Sequence, residues 1–309
     1  MKVLVIGGSG FIGSHIMDAL SDEGHEVTNF DLQPSRYLRN DQQYIQGDIL
    51  NRDQLEAAIA GKDVVYNFAG IPHLDVGLKN PVATVEQNIL GTVISLDVSR
   101  EVGVKRYVYA SSVYVYSERG SFYRCSKQAA ELYVEEYQRL HGMEYTILRY
   151  GTVFGPRSDD HNSVRRYLQQ AMQERRIVIN GTGEEIREYI HVKDASRLSV
   201  EILASEYKNE YDVLSGQHPM RFMDLLKMIQ EIVGLDVEID LKPINPNDHK
   251  QGLSGHYSIT PYSFRPKIAK KLVANPYMEM GQGLLDCLHE ICEEEGIANE
   301  KTEGGLCPY

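Results

Sequence analysis

No apolar run in the 309 residues approaches the roughly 18 residues of a membrane-spanning helix. There is no internal repeat and no low-complexity linker to separate independent modules. The four cysteines, Cys125, Cys287, Cys292 and Cys307, have neither metal-site nor redox-motif spacing. They read as reduced thiols, and no metal site is expected. With the first strand beginning at Lys2, leaving no room for a signal peptide, they point to a cytoplasmic protein. Positive charge is scarce: 32 Lys and Arg against 44 Asp and Glu give a net charge of −12. That balance argues against nucleic acid or an anionic membrane as the main partner. An anionic ligand would then need cations concentrated locally.

What is present begins at the first residues. Lys2 to Ile6 (KVLVI) is a short run with β-branched Val3, Val5 and Ile6, the pattern of a fully buried strand. Gly7-x-x-Gly10-x-x-Gly13 follows at once and opens a helical pattern of Ile12, Ile16, Met17 and Leu20. Gly7 permits a tight turn, Gly10 lets backbone approach a pyrophosphate, and Gly13 lets the helix pack on the strand. Phe11 and Ile12, between the last two glycines, join the candidate cofactor contacts. A second strand over 26–30 ends in Asp31, 18 residues after Gly13. A carboxylate there accepts hydrogen bonds from ribose hydroxyls and repels a 2′-phosphate, which favours NAD over NADP. Asp48 and Ile49 follow the strand at 43–47; Asp48 either reaches the adenine or caps the helix starting near Asn51. Another buried strand, 63–68, ends in Phe68-Ala69-Gly70, where small residues leave room for a cofactor. His73 in the next loop receives no role. Pro81 to Arg100 reads as one long helix on which Asn88 either positions backbone near the site or is a satisfied buried amide.

The strand at 105–110 ends in Ser111-Ser112, and Tyr123-x-x-x-Lys127 follows. Residues four apart share a helical face, so Lys127 is expected beside Tyr123, where an ammonium favours the phenolate. A phenol tuned towards neutrality is a suitable base for an alcohol proton during hydride transfer. Alternating buried strands and helices imply a Rossmann-type α/β fold: a doubly wound parallel sheet covered on both faces.

These motifs resemble the extended short-chain dehydrogenase/reductase family, and within it the NAD-dependent nucleotide-sugar epimerase/dehydratase group. The resemblance rests on the glycine turn, Ser111-Ser112-x-x-Val115-Tyr116, Tyr123-x-x-x-Lys127, the segment 148–157 (LRYGTVFGPR) and the segment 180–194 (NGTGEEIREYIHVKD). It implies an NAD-binding domain over 1–155, to which segments around 185–205 return. A smaller α/β substrate-binding lobe would come mainly from 156–309. It also implies catalytic Ser112, Tyr123 and Lys127, the last two also touching the cofactor, and transient oxidation of a sugar hydroxyl at C4. Arg187 is expected to bind the diphosphate of a nucleoside diphosphate sugar, with Arg157 and Thr152 as further substrate contacts; its rival is an ion pair with Glu184, Glu185 or Glu188. Helices 80–101 and 123–140 are expected to form a homodimer interface.

The departures from the family pattern shape the functional reading. Val113 and Tyr114 stand where dehydratases and decarboxylases of the family carry an acid, and Thr152 replaces a common substrate-binding Asn. The link between Ser117 and Tyr123 is short, which reshapes the sugar end of the pocket. The first expectation is therefore a nucleotide-sugar 4-epimerase working through a 4-keto intermediate. A net nucleotide-sugar 4-dehydrogenase is the alternative. The short link, Thr152 and the residues 260–262 and 281–283 are similar to capsule-pathway relatives that oxidise nucleotide-activated heptoses. A third reading is an NAD-binding sensor or scaffold without turnover. Further along, 163–176 reads as a helix capped by Ser163 and 278–294 as the last helix. Gly151 to Asp160 reads as an irregular loop, 245–255 as a polar flap, and 299–309 as a frayed tail.

Overall fold

The computed structural model describes residues 1–242 and 268–296. The expected flap at 245–255, the residues 260–262 and the tail at 299–309 lie outside the described residues.

Eight parallel strands make the central sheet. They are β1 (Lys2–Ile6), β2 (Glu26–Asp31), β3 (Gln42–Gln46), β4 (Val64–Asn67), β5 (Arg106–Ser112), β6 (Glu144–Tyr150), β10 (Glu210–Leu214) and β13 (Lys270–Leu272). Their spatial order is β13-β10-β6-β5-β4-β1-β2-β3. The order reverses at β1 and β4, which pair with Val3 opposite Val64 and Ile6 opposite Asn67. At such a switch point the loops leave the sheet in opposite directions and open a crevice beyond the carboxyl ends of the strands.

Both faces of the sheet are covered, and β1 shows how. Val3 and Val5 pack into one layer with Ile16 and Leu20 of α1 (Phe11–Asp22) and with Val192 and Leu198 of α8 (Val192–Glu201). Leu4 and Ile6 point the other way. They meet Leu55 and Ile59 of α2 (Arg52–Ile59), Leu96 of α5 (Gly91–Glu101) and Val134 of α6 (Ser121–His141). Alternation of side chains along a strand, with apolar residues at every position, requires this two-sided burial.

The long helix expected over 81–100 is interrupted. α4 (Pro81–Val85) leads into a π turn over Glu86–Leu90 before α5 begins. Asn88 sits in that wider turn, 1% exposed, with its amide committed to backbone of the loop after β4, where α3 (Leu74–Lys79) begins.

The carboxyl-terminal half is shared between two places. α8 packs on α1, and β10 and β13 extend the central sheet, so residues well beyond 155 build it. A separate core holds Phe154, Val164, Leu168, Phe222, Leu225 and Leu284. Three helices surround it: α7 (Ser163–Glu174), α9 (Phe222–Val233) and α10 (Met280–Glu294). Two small sheets complete it: β7 (Thr152–Phe154) with β9 (Ile186–His191) and β11 (Pro219–Arg221), and β8 (Arg176–Asn180) with β12 (Glu238–Lys242).

Three local expectations are corrected. Residues 152–154 are not irregular, because Thr152 to Phe154 pair with Tyr189 to His191. Asn162, not Ser163, caps α7, its side chain accepting from the N–H groups of Val164 and Arg165. Cys125 and Cys287 are free thiols, as expected, but Cys292 is disulfide-bonded. Among the described residues, no helix is long and apolar enough to cross a membrane.

Candidate active site

A cavity of about 860 Å³ opens at the switch point. At one end lie Gly7, Gly10, Phe11, Ile12 and Gly13, with Asp31, Asp48 and Ile49 beside them and Phe68, Ala69 and Gly70 across the crevice. Gly7 and Gly13 leave no room for a side chain. Gly7 has φ +84°, and a Cβ on it would stand 2.7 Å from the Ala69 nitrogen. A Cβ on Gly13 would meet the Gly7 carbonyl oxygen at 2.3 Å. α1 starts at Gly10 with no side-chain cap and no acidic residue in its first turn. Its free N–H groups and positive dipole end therefore face the crevice, the arrangement that takes an anionic pyrophosphate. The Asp31 carboxylate is aimed by backbone, accepting from the N–H of Ser9 at 3.0 Å and of Gln33 at 3.3 Å. Asp48 accepts from the Leu50 N–H, while Asn51 caps α2. A cleft with a helix terminus for phosphates and a fixed carboxylate for ribose fits a dinucleotide.

Ser112, Tyr123 and Lys127 line the same cavity. Ser112 ends β5, and its Oγ accepts from the Tyr114 N–H at 3.3 Å. The short link to α6 turns through two left-handed residues, Gly120 (φ +93°) and Ser121 (φ 46°). Ser126 Oγ donates to the Tyr123 carbonyl at 2.8 Å and accepts from Asn88 Nδ2 at 2.9 Å. Asn88 in turn accepts from the Ile71 N–H at 2.7 Å. The π turn thus ties the catalytic helix to the loop after β4. Lys127 is buried, and its Nζ donates to the Ala110 carbonyl at 2.7 Å.

The electrostatics depart from expectation. Desolvation pushes the Tyr123 phenol up to about 12, and the hydrogen bond with Ser112 pulls it the other way. The Lys127 ammonium is turned to Ala110 and lies 5.8 Å from the Tyr123 ring centre. Burial likewise lowers Lys127 to about 8, opposed by the charge of Glu131 one turn further along α6.

At the other end of the cavity Thr152 is present, but Arg157 and Arg187 are not among the lining residues. Arg157 is tied to the cofactor half. It pairs with Asp18 at 2.8 Å, stacks 4.4 Å over the Tyr37 ring, and donates its backbone N–H to Glu290 at 2.7 Å. Arg187 is buried on β9, stacked 4.5 Å over Phe222. The ion pair considered for it does not form: Glu184 faces Arg221, and Glu188 is held by Lys271 and Ser215. Arg187 Nε has no hydrogen-bond partner among the described residues.

Sequence reading missed Arg166, which does line the cavity. Arg165, Arg175 and Arg176 each find a carboxylate, at Glu290 and Glu294, Asp236 and Asp240 respectively. Arg166 finds none among the described residues and lies over the Tyr167 ring at 5.2 Å. It also missed His73, Asp159 and His161, brought together at the same end. No local pattern marks these four.

A crevice so built, holding a phenol, a hydroxyl and an ammonium beside a dinucleotide seat, belongs to enzymes that oxidise and reduce alcohols with a bound nicotinamide cofactor. Residues 3–213 match the NAD-dependent epimerase/dehydratase family, and the chain belongs to that family. It is an NAD-dependent enzyme, so the sensor reading falls away. A relative described as a putative UDP-glucose 4-epimerase of Methanocaldococcus jannaschii is 30% identical over 254 residues, covering 75% of this chain and 82% of that one. The low-salt glycan biosynthesis protein Agl12 of Haloferax volcanii is 27% identical over 264 residues, 78% of this chain and 85% of its own. Among solved structures, the UDP-glucose 4-epimerase of Thermotoga maritima with UDP-glucose superposes with a TM-score of 0.80 at 24% identity. The match covers 96% of this chain and all of that one. The UDP-glucuronic acid 4-epimerase of Bacillus cereus in complex with NAD gives 0.77 at 23% identity, covering 95% and 99%. Those two likenesses carry the fold.

Proposed function

We propose that this enzyme oxidises C4 of a nucleoside diphosphate sugar and returns the hydride to the resulting 4-keto sugar, so that the net reaction is C4 epimerisation. The observation that carries this reading is the joint placement of Ser112, Tyr123 and Lys127 on the cavity that also holds the glycine turn and Asp31. The absence of a carboxylate at Val113 and Tyr114 removes the usual acid for elimination or decarboxylation. The names of the relatives make uridine diphosphate sugars the first class to test.

The chain's residues divide the work as follows. Gly7, Gly10 and Gly13 with the α1 terminus would hold the pyrophosphate, Asp31 the adenosine ribose and Lys127 the nicotinamide ribose. When bound, oxidised NAD supplies the hydride acceptor and a positive charge that favours a neighbouring phenolate. Tyr123 takes the C4 hydroxyl proton, and Ser112 Oγ holds the reacting oxygen. Arg166, which lines the cavity without a carboxylate partner among the described residues, would meet the diphosphate at the mouth of the site. For Arg187, off the cavity lining, that role rests on the family pattern alone. Arg157 contributes by bracing α1 rather than by substrate contact. Residues 1–155 with α8, β10 and β13 form the cofactor half, and the core around Phe154, Leu168 and Leu284 forms the substrate lobe.

Val82 and Val85 on α4, Leu90 at the end of the π turn, and Leu132, Tyr133 and Leu140 on α6 are exposed apolar side chains. They support a homodimer through these helices, tested by light scattering of wild type against Leu132→Glu.

The deciding experiment is product analysis by mass spectrometry and NMR over UDP-, GDP- and dTDP-sugars and heptoses, with NAD and with or without a 2-keto acid. Unchanged mass with inverted C4 is the expected result. A product lacking two hydrogens, with NADH formed or passed on, would replace epimerisation by net 4-dehydrogenation.

A further inference from the structure

The cavity holds a second ionisable group of residues that the C4 chemistry does not use. His73 comes from the loop after β4 and stands immediately before α3, while Asp159 and His161 come from the loop between β7 and α7. All three line the cavity that contains Tyr123. His73 Nε2 lies 3.1 Å from Asp159 Oδ2. The His73 ring stacks on His161 with centres 4.1 Å apart and planes 26° from parallel. The other oxygen of Asp159 accepts from the His161 backbone N–H at 3.1 Å. One carboxylate therefore holds the His73 ring and the His161 backbone.

This geometry selects a tautomer. A carboxylate at Nε2 keeps the proton there, so the lone pair of a neutral imidazole is on Nδ1. His73 Nδ1 makes no capping bond to the backbone of α3. Asp159 is held below the usual carboxylate range, first by its hydrogen bond with His73, and so remains an anion near neutral pH. An imidazole with one nitrogen braced by a carboxylate and its lone pair on the other is built as a base. The side chain of His73 is 29% exposed, so it is neither sealed in a core nor free in solvent.

We propose that His73, oriented by Asp159, is a second base of this site and takes a proton from the carbon next to the C4 carbonyl. The proposal rests on the C4-oxidation reading, because only a ketone at C4 makes the C3 and C5 protons removable. The C–H bond breaks and its electron pair forms the carbon–carbon double bond of an enolate. The carbonyl π pair moves to oxygen, and the proton goes to His73 Nδ1, giving an imidazolium opposite Asp159. Tyr123, already protonated by the C4 hydroxyl, donates a hydrogen bond to the enolate oxygen together with Ser112. The partly exposed His73 imidazolium trades its proton with solvent, and return of a solvent-derived proton to the same face of the enolate gives exchange at that carbon. No oxidant is consumed. His73 is the catalytic residue of this step and Asp159 its positioning residue.

The test uses the NAD-loaded protein in D2O with ready-made 4-keto hexoses carried on uridine, thymidine and guanosine diphosphate. Deuterium at C3 or C5 is read by NMR as a saturated rate and as the concentration needed for half of it. Supplying the ketone separates this test from the C4 reading, which is followed independently with the hydroxyl sugars by NMR of the C4 configuration. Wild type is expected to exchange faster than buffer with one of the three ketones. His73→Asn should lower the saturated rate by about 10²-fold or more. Asp159→Asn should lower it by a smaller factor with an unchanged half-saturating concentration, which loss of a structural contact would not do. Absence of exchange by wild type on all three ketones would overturn the proposal. So would a His73→Asn or Asp159→Asn defect confined to the half-saturating concentration.

Discussion

Arg149 and Glu131 meet face to face beneath the catalytic helix, with Arg149 Nε and Nη2 donating to the two carboxylate oxygens at 2.9 and 2.7 Å. Arg149 is 0% and Glu131 2% exposed, and the guanidinium also stacks 4.6 Å from the rings of Tyr116 and Tyr211. Glu131 further accepts from Ser111 Oγ at 2.5 Å and lies one turn from Lys127 on α6. The pair therefore sets β5, β6 and α6 against one another directly behind the site.

Breaking this pair strands a charge where water cannot reach it, which costs about 3–5 kcal/mol. Glu131→Gln is expected to lower the unfolding free energy by that amount, read by urea titration followed by circular dichroism. The double variant Glu131→Leu with Arg149→Met removes both charges and should recover most of the loss. Equal instability of the single and double variants would show that packing, not the unpaired charge, dominates.

Tyr123→Phe keeps the ring and removes the proton acceptor. NAD retention should match wild type, and turnover of a nucleoside diphosphate sugar should fall by about 10²–10⁴-fold. Turnover within a few-fold of wild type would remove Tyr123 as the base.

Gly13→Ala places a methyl 2.3 Å from the Gly7 carbonyl oxygen, backbone against backbone. The turn must open, and the N–H groups of α1 lose their aim at the pyrophosphate. Bound NAD, measured in the purified protein after heat release, should fall by at least tenfold, a loss of about 1.4 kcal/mol or more.

Asp31→Ala removes the carboxylate that faces the ribose position and leaves Arg36 nearby in the same loop. NAD affinity should drop and NADP affinity rise, shifting their ratio by at least tenfold, or about 1.4 kcal/mol. Fluorescence titration with both reduced cofactors reads the ratio directly.

The parts of the site legible in the sequence are those whose partners are close along the chain. The run KVLVI followed by three glycines, the carboxylate closing β2, and the Tyr123-Lys127 spacing each carry their geometry within a few residues. Arg166 could not be separated from Arg165, Arg175 and Arg176, because the distinction rests on carboxylates of α10 and β12 and the Asp236 turn. The strand at 152–154 was hidden for the same reason, since its partner among the described residues is β9. Helical spacing places Lys127 on the same face as Tyr123 but does not say that its ammonium bonds Ala110 or how far burial raises the phenol.

Asp212 supplies a pH dependence unrelated to catalysis. It is fully buried in β10, and neither carboxylate oxygen has a hydrogen-bond partner among the described residues. Desolvation raises its pKa to about 7, opposed by Lys270, its register partner on β13, and aided by Glu210. An unfolded aspartate titrates near 3.9. Below about pH 4 the group is protonated in both states and costs nothing. Between about pH 4 and 7 the folded state binds the extra proton, so stability falls as pH rises. Above pH 7 the full penalty is present, on the order of 4 kcal/mol as an upper bound. Asp212→Asn removes the titration. Its stability relative to wild type should therefore rise steadily between pH 4 and 7 and level off beyond, measured by urea unfolding at fixed ionic strength. A difference that stays flat across that range would mean that the Lys270 ammonium already holds Asp212 as an anion.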